Sequence, residues 1–306
     1  MRIPDSAIAE IDTQGFTIAE GVLSDEEVTA ARRVVWEHHP HPDDYFADPD
    51  AWSHLAESPF AGISRDVPFA GWDLSRLCFH PDVVDAVERY LGSDDLSLYK
   101  VELWAKYAGA CDYDQAHHRD YINHTLVVPR ADGVGRQVTT FTLLSDVTEA
   151  DAPTMIVPLD QTEHVPLVAW DNPERPDRMT MRPMGELADV EIPVVGPAGT
   201  VLFYRTDVFH RASAFAEQGR SRFTLLLDYE VRGPSWTGKA AWPNQATTQR
   251  WHEFLARASV RERNLFGFPR PGDPYWNEQT VTDVGRRYRD MDMTPYRDAL
   301  GSALQA

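Results

Sequence analysis

The sequence predicts a mainly β protein, a sandwich or barrel of short strands with helices at both ends. Three observations predict it. Between residues 96 and 232, short runs rich in Val, Ile, Thr, Phe and Tyr are separated by Gly, Pro and Asp, the pattern of antiparallel strands and tight turns. Before residue 95 the apolar period is helical and carries caps. After residue 233 helical patterns return around an aromatic, Pro-rich stretch.

The elements follow in order. "SDEEVTAARRVVWEHH" opens with Ser24 and Glu27 at capping-box spacing, and Val28, Ala31 and Val35 form its apolar stripe. In "HPDVVDAVERYLG", Pro81 suits the first turn and Gly92 the end. Val83, Val84, Val87 and Leu91 form its buried face. Residues 38–76, rich in His, Pro, Asp and Trp, have no period and read as a lid or an irregular surface loop. "LSLYKVELWAKY" alternates as a strand: Tyr99, Val101, Leu103, Ala105 and Tyr107 share one face, and Lys100, Glu102, Trp104 and Lys106 the other. A polar face that carries a Trp fits a cavity wall, and equally a solvated sheet face. "QVTTFTLLSDV", "TMIVP", "VEIPVV", "GTVLFYR" and "RFTLLLDYEVR" are further strands. "NQATTQRWHEFLARAS" and "TPYRDALGSAL" read as helices of a C-terminal cover. The expected organisation is a single domain over 1–306: a helical region and lid over about 1–95, a β core over 96–232, and a helical cover over 233–306.

Composition narrows the function. The net charge of −19 in 306 residues disfavours nucleic acid and anionic membrane as partners. Two cysteines, Cys78 and Cys111, are too few for a disulfide framework or a cysteine metal site, and fit a reducing cytoplasm. No run approaches the 18 or so apolar residues of a membrane span. The expectation is a cytoplasmic protein, monomer or homodimer, with a small-molecule substrate.

The chemistry centres on His118 and Asp120 in "QAHHRDY" and His210 in "GTVLFYRTDVFHRAS". His-x-Asp on a strand points an imidazole and a carboxylate the same way, and a distant histidine can close a facial set of three ligands. Such a set leaves coordination positions open on Fe(II). By itself the triplet is weak, since His-x-Asp arises by chance. In "GRSRFTLLLDY", Arg222 alternates with Thr224, Leu226 and Asp228 on an inward face, where a buried guanidinium needs an anion. That anion is either a ligand or an internal Asp or Glu.

The segments "IDTQGFTIAEGVLSDEEVTAARR", "HHRD", "TLLSDVTEADAPTMIVPLDQTEH", "AGTVLFYRTDVFHRAS" and "RFTLLLDYE" occur in the order seen in the phytanoyl-CoA dioxygenase-like family, which the chain resembles over about residues 11–232. The resemblance implies a double-stranded β-helix (jelly-roll, cupin-like) core and an oxygenase using Fe(II), 2-oxoglutarate and O2. It implies His118, Asp120 and His210 as metal ligands, and Ser213 and Arg222 as anchors of the far carboxylate of 2-oxoglutarate. Both anchors are displaced by the same single residue, which favours Arg222 over Arg220. Thr142 and Lys106 match further cosubstrate contacts. Trp104, Tyr121 and Asn123 are candidate substrate contacts. Asp120, where related halogenases carry Gly or Ala, implies hydroxylation over halogenation. The expected reaction is hydroxylation of an unactivated C–H in an amino acid or natural-product intermediate, with release of succinate and CO2. "PLDQTEH" keeps Pro158 and His164 and departs from the family's Gly-Ser turn, which leaves that loop's shape open. Two other readings are a non-oxidative cupin-like metalloenzyme and a jelly-roll binding protein without turnover.

Overall fold

The computed structural model describes residues 3–125, 128–130, 133, 135–165, 185–233 and 248–303. It is a jelly roll of two antiparallel sheets. Its strands are β1 (Phe16–Ala19), β2 (Ile63–Ser64), β3 (Leu96–Tyr107), β4 (Gln137–Leu143), β5 (Thr154–Ile156), β6 (Ile192–Val194), β7 (Val201–Arg205), β8 (His210–Ala212) and β9 (Ser221–Val231). The large sheet runs β1-β7-β4-β9-β3-β2 and the small one β6-β5-β8. All five strand segments expected downstream of β3 are present. Two strands come from the region expected to be helical: β1 pairs with β7, and β2 with β3.

Strand alternation separates two cores. On β3 and β9, Val101, Leu103, Ala105 and Tyr107 join Phe223, Leu225, Leu227 and Tyr229 in the main cluster, under the helices. Each fully buried Val, Leu or Phe among them contributes ~1.5–3 kcal/mol of transfer free energy. On the inner face, Phe16, Phe141, Leu202, Tyr204 and Leu226 meet Ile156 and Val194 of the small sheet.

The helices preceding β3 are α1 (Asp5–Thr13), α2 (Asp25–His38), α3 (Pro42–Ala47), α4 (Trp72–Ser75) and α5 (Pro81–Leu91). The capping box of α2 forms: the Glu27 N–H donates to Ser24 Oγ, and the Ser24 N–H donates to Glu27 Oε2 at 2.8 Å. Gly92 ends α5 in the left-handed region, where a Cβ would be strained. The lid segment 38–76 is not a simple loop. It buries Tyr45, Leu55, Phe69 and Leu74 in the main core. At Gly62 a Cβ would fall 1.9 Å from the Ala105 carbonyl oxygen, so only glycine lets the lid backbone lie against β3. The other expected lid, near 160–185, lies largely outside the described residues.

Gln249–Arg257, Val260–Leu265, Glu278–Arg287 and Thr294–Ala303 are the C-terminal helices. They bury Trp251, Phe254, Leu255 and Tyr296 on the outer side of the large sheet. The expected cover therefore backs the sheet, and among the described residues it adds nothing to the inner cavity. No helix of the described residues is long and apolar enough to cross a membrane. Cys78 and Cys111 are free and buried.

Candidate metal centre

A cavity of about 530 Å³ opens between the sheets, within the usual range for small-molecule sites. His118, Asp120 and His210 line it. One ligating atom from each lies within 4.8 Å of the other two.

The backbone brings them together. His210 begins β8, and His118 forms an isolated bridge to it, each N–H donating to the other's carbonyl at 3.0 Å. The two imidazoles stand 4.3 Å apart, centroid to centroid. His118 Nδ1 lies 3.1 Å from the Ala116 carbonyl oxygen and His210 Nδ1 lies 3.2 Å from that of Val208. A carbonyl only accepts, so each Nδ1 carries the proton and each Nε2 keeps its lone pair for a metal. Asp120 Oδ1 lies 3.7 Å from His118 Nε2 and 3.5 Å from His210 Nε2.

Asp120 arrives by a different route from the strand alternation expected. It has helical φ/ψ and caps the short helix α6 (Tyr121–His124). The carboxylate meets the imidazoles because the chain turns there. The same turn corrects the reading of the following residues. Asn123 lines the cavity, whereas Tyr121, 1 % exposed, is buried away from it.

Burial, then the adjacent His210, lowers the His118 imidazole to about 4, so it is neutral at pH 7. Burial opposes charge on Asp120 and His210, but their mutual attraction prevails: the carboxyl is held well below its usual range and the His210 imidazole is raised. Two imidazole nitrogens and a carboxylate oxygen suit Fe(II) with open positions.

Arg222 also lines the cavity and is 3 % exposed. Its Nη1 donates to the Ala152 carbonyl, and its buried Nε has no partner. Among the described residues no carboxylate pairs with it. Arg220, in contrast, is spent on Asp151 at 3.2 Å and on Glu217. An unpaired buried guanidinium donor fits a ligand carboxylate. Lys106 is the register partner of Arg222 across β3 and β9. Its Nζ donates to the Ser213 carbonyl at 2.6 Å, and Ser213 Oγ donates to the Pro153 carbonyl at 2.6 Å. Thr142 departs from expectation: it shares a face of β4 with Val138, opposite to Phe141, and Phe141 is the residue that lines the cavity.

Trp104 lines the cavity, its indole N–H donating to Glu102 Oε2 at 3.1 Å. Sequence reasoning missed several neighbours. Phe60, Ile63 and Arg65 enter from the lid, and Arg65 Nε bonds Glu102 Oε1 at 2.6 Å. Tyr99 OH lies 3.0 Å from His124 Nδ1, and Lys100 Nζ lies 3.4 Å from His124 Nε2. Lys100 and Glu102 were legible as companions of Trp104 on one strand face, whereas the lid residues have no periodic signal.

Residues 11–222 match the family model for phytanoyl-CoA dioxygenase (PhyH), and the chain belongs to that family. Its members use Fe(II), 2-oxoglutarate and O2, and the fold and the His-Asp-His set agree with it. Many solved structures are similar in fold, three of which follow. The epimerase SnoN in complex with Fe3+, alpha ketoglutarate and nogalamycin RO has 20% identity and a TM-score of 0.54, covering 74% of this chain and 82% of its own. The non-heme alpha ketoglutarate dependent carbocyclase SnoK from nogalamycin biosynthesis has 18% identity and a TM-score of 0.55, covering 81% and 92%. EvdO2 from Micromonospora carbonacea var. aurantiaca, complexed with 2-oxoglutarate, has 14% identity and a TM-score of 0.53, covering 79% and 94%. No curated protein matches the chain in sequence.

Proposed function

We propose that this 2-oxoglutarate-dependent enzyme hydroxylates an unactivated C–H of a small molecule, an amino acid or a natural-product intermediate. The observation that carries the reading is one cavity with two separate needs. At one place His118, Asp120 and His210 offer three ligand atoms within 4.8 Å. At another, Arg222 offers a buried donor without a partner.

In this reading His118 Nε2, Asp120 Oδ1 and His210 Nε2 hold Fe(II). Arg222 takes the far carboxylate of 2-oxoglutarate, with Ser213 and Lys106 supporting that end. Bound Fe(II), with 2-oxoglutarate and O2, supplies the oxidising power to break a C–H bond, releasing succinate and CO2. The chain's own task is orientation and exclusion of water. Trp104 and Phe141, 6.4 Å apart edge to face, wall the same cavity as the three ligand side chains. Phe60, half exposed, packs at 6.4 Å on Trp104 from the lid. Lys100, Glu102, Arg65 and Asn123 give the substrate side hydrogen-bonding groups of both signs, which suits a polar or zwitterionic molecule. Asp120 occupies the place that a halide would need, which favours hydroxylation over halogenation.

A screen of small-molecule libraries for Fe(II)-dependent succinate release, with mass analysis of each hit, tests the proposal. A product heavier by one oxygen supports it. Succinate release coupled to loss of hydrogen, ring closure or inverted stereochemistry would replace hydroxylation by that reaction.

A further inference from the structure

We propose that Tyr204 is a positioning residue that makes Asp120 a one-oxygen ligand. The inference rests on the metal-site reading above. Tyr204 lies on β7 and is fully buried. Its hydroxyl donates to Asp120 Oδ2 at 2.7 Å. The other oxygen, Oδ1, is the one that faces both imidazole Nε2 atoms. The two carboxylate oxygens are thus assigned different partners before any metal arrives.

The ring is held from several sides. Tyr204 pairs in register with Phe16 of β1 and Thr139 of β4. It stacks on Phe141 at 6.1 Å and 14°, and it packs 4.8 Å from the His210 ring. One side chain therefore touches two members of the His-Asp-His set. Asp120 needs such a hold, because it sits on a turn outside either sheet. A carboxylate with both oxygens free can chelate through both and take a coordination position that cosubstrate and O2 require. A charge-assisted O–H···O⁻ bond to Oδ2 opposes that.

Tyr204→Phe removes the hydroxyl and keeps the ring and its packing, with circular dichroism as the check on folding. The probe is Co(II), without and with 2-oxoglutarate, read by calorimetry and by the visible ligand-field spectrum, which reports coordination number. The expected result is a 10- to 100-fold loss of Co(II) affinity, the usual size of effect for a partner of a metal ligand, together with an altered spectrum as Oδ2 joins the metal. A spectrum superimposable on that of the native protein overturns the proposal, even if affinity falls, because loosening alone leaves coordination number unchanged. A native protein that takes up no Co(II) overturns the metal reading as well, so the two failures are distinct.

Discussion

Arg222 and Lys106 are register partners across β9 and β3, two buried basic groups 3 % and 1 % exposed, and among the described residues no carboxylate forms an ion pair with either. Burial pushes Arg222 down to about 10, and burial followed by the charge of Arg222 brings Lys106 to about 7. Two desolvated positive groups side by side are costly unless an anion joins them. In the proposed reading that anion is the far carboxylate of 2-oxoglutarate, met by Arg222 in the cavity lining, with Lys106 beside it and outside that lining.

Arg222→Ala should weaken 2-oxoglutarate binding at least tenfold, since removing one partner of a buried charge pair costs about 2–5 kcal/mol. Metal affinity should be unchanged. Arg220→Ala, whose charge is spent on Glu217 and Asp151, should have little effect. Calorimetry with 2-oxoglutarate on the metal-loaded protein checks both, and the reverse ranking would mean that Arg220 is the anchor.

Binding of the dicarboxylate should take up protons near neutral pH. Lys106 is partly deprotonated there, and a nearby anion favours its charged form. Affinity should therefore fall as pH rises through about 7. Calorimetry at pH 7.5 in buffers of different ionisation enthalpy measures the uptake, at ~0.5 proton or more. Lys106→Met should abolish it. Equal enthalpies in all buffers for the native protein would show that Lys106 does not respond to the ligand.

Folding stability should drop on acidification because of His39. Burial, then the charges of His38 and His54, lowers its imidazole to about 4, and its Nε2 is buried without a partner. The folded pKa lies below the unfolded value, so the unfolded chain binds the extra proton between pH 4 and 6.5. Stability is thus lost as pH falls through that window, by about 3 kcal/mol for a shift of this size. Urea melts from pH 7 to 4 should be flatter for His39→Gln than for the native protein.

Much of this architecture is readable in the sequence, and the failures have physical causes. Period-2 alternation in "KVELWAKY" and "RFTLLLDYEV" separates the core face from the face bearing Lys100, Glu102, Trp104 and Arg222, but Tyr99, expected on the core face, lines the cavity because the register of β3 shifts between Leu98 and Lys100. Ser24 with Glu27, and Pro81 with Gly92, mark two helices by local chemistry alone. The capping box Ser259–Glu262 was equally local, yet the six-residue helix it starts is too short to show a period. Thr142 was misplaced by parity: on β4 its neighbour Phe141 has the inward face. The strand alternation expected through Asp120 and Tyr121 fails because the chain turns there into a short helix, a change decided by the fold around "HHRDY". Arg65 and Tyr204 were invisible because their partners, Glu102 and Asp120, are far along the chain.

The central claim is that His118, Asp120 and His210 hold Fe(II) that chelates 2-oxoglutarate in this cavity. The most direct test is anaerobic titration of the Fe(II)-loaded protein with 2-oxoglutarate, following the visible metal-to-ligand charge-transfer band of the chelate. The native protein should develop the band and saturate at one equivalent, and His118→Ala, Asp120→Ala and His210→Ala should each lose it together with their iron. A native protein that binds iron and shows no band, or any of these single variants that keeps both iron and band, would contradict the account.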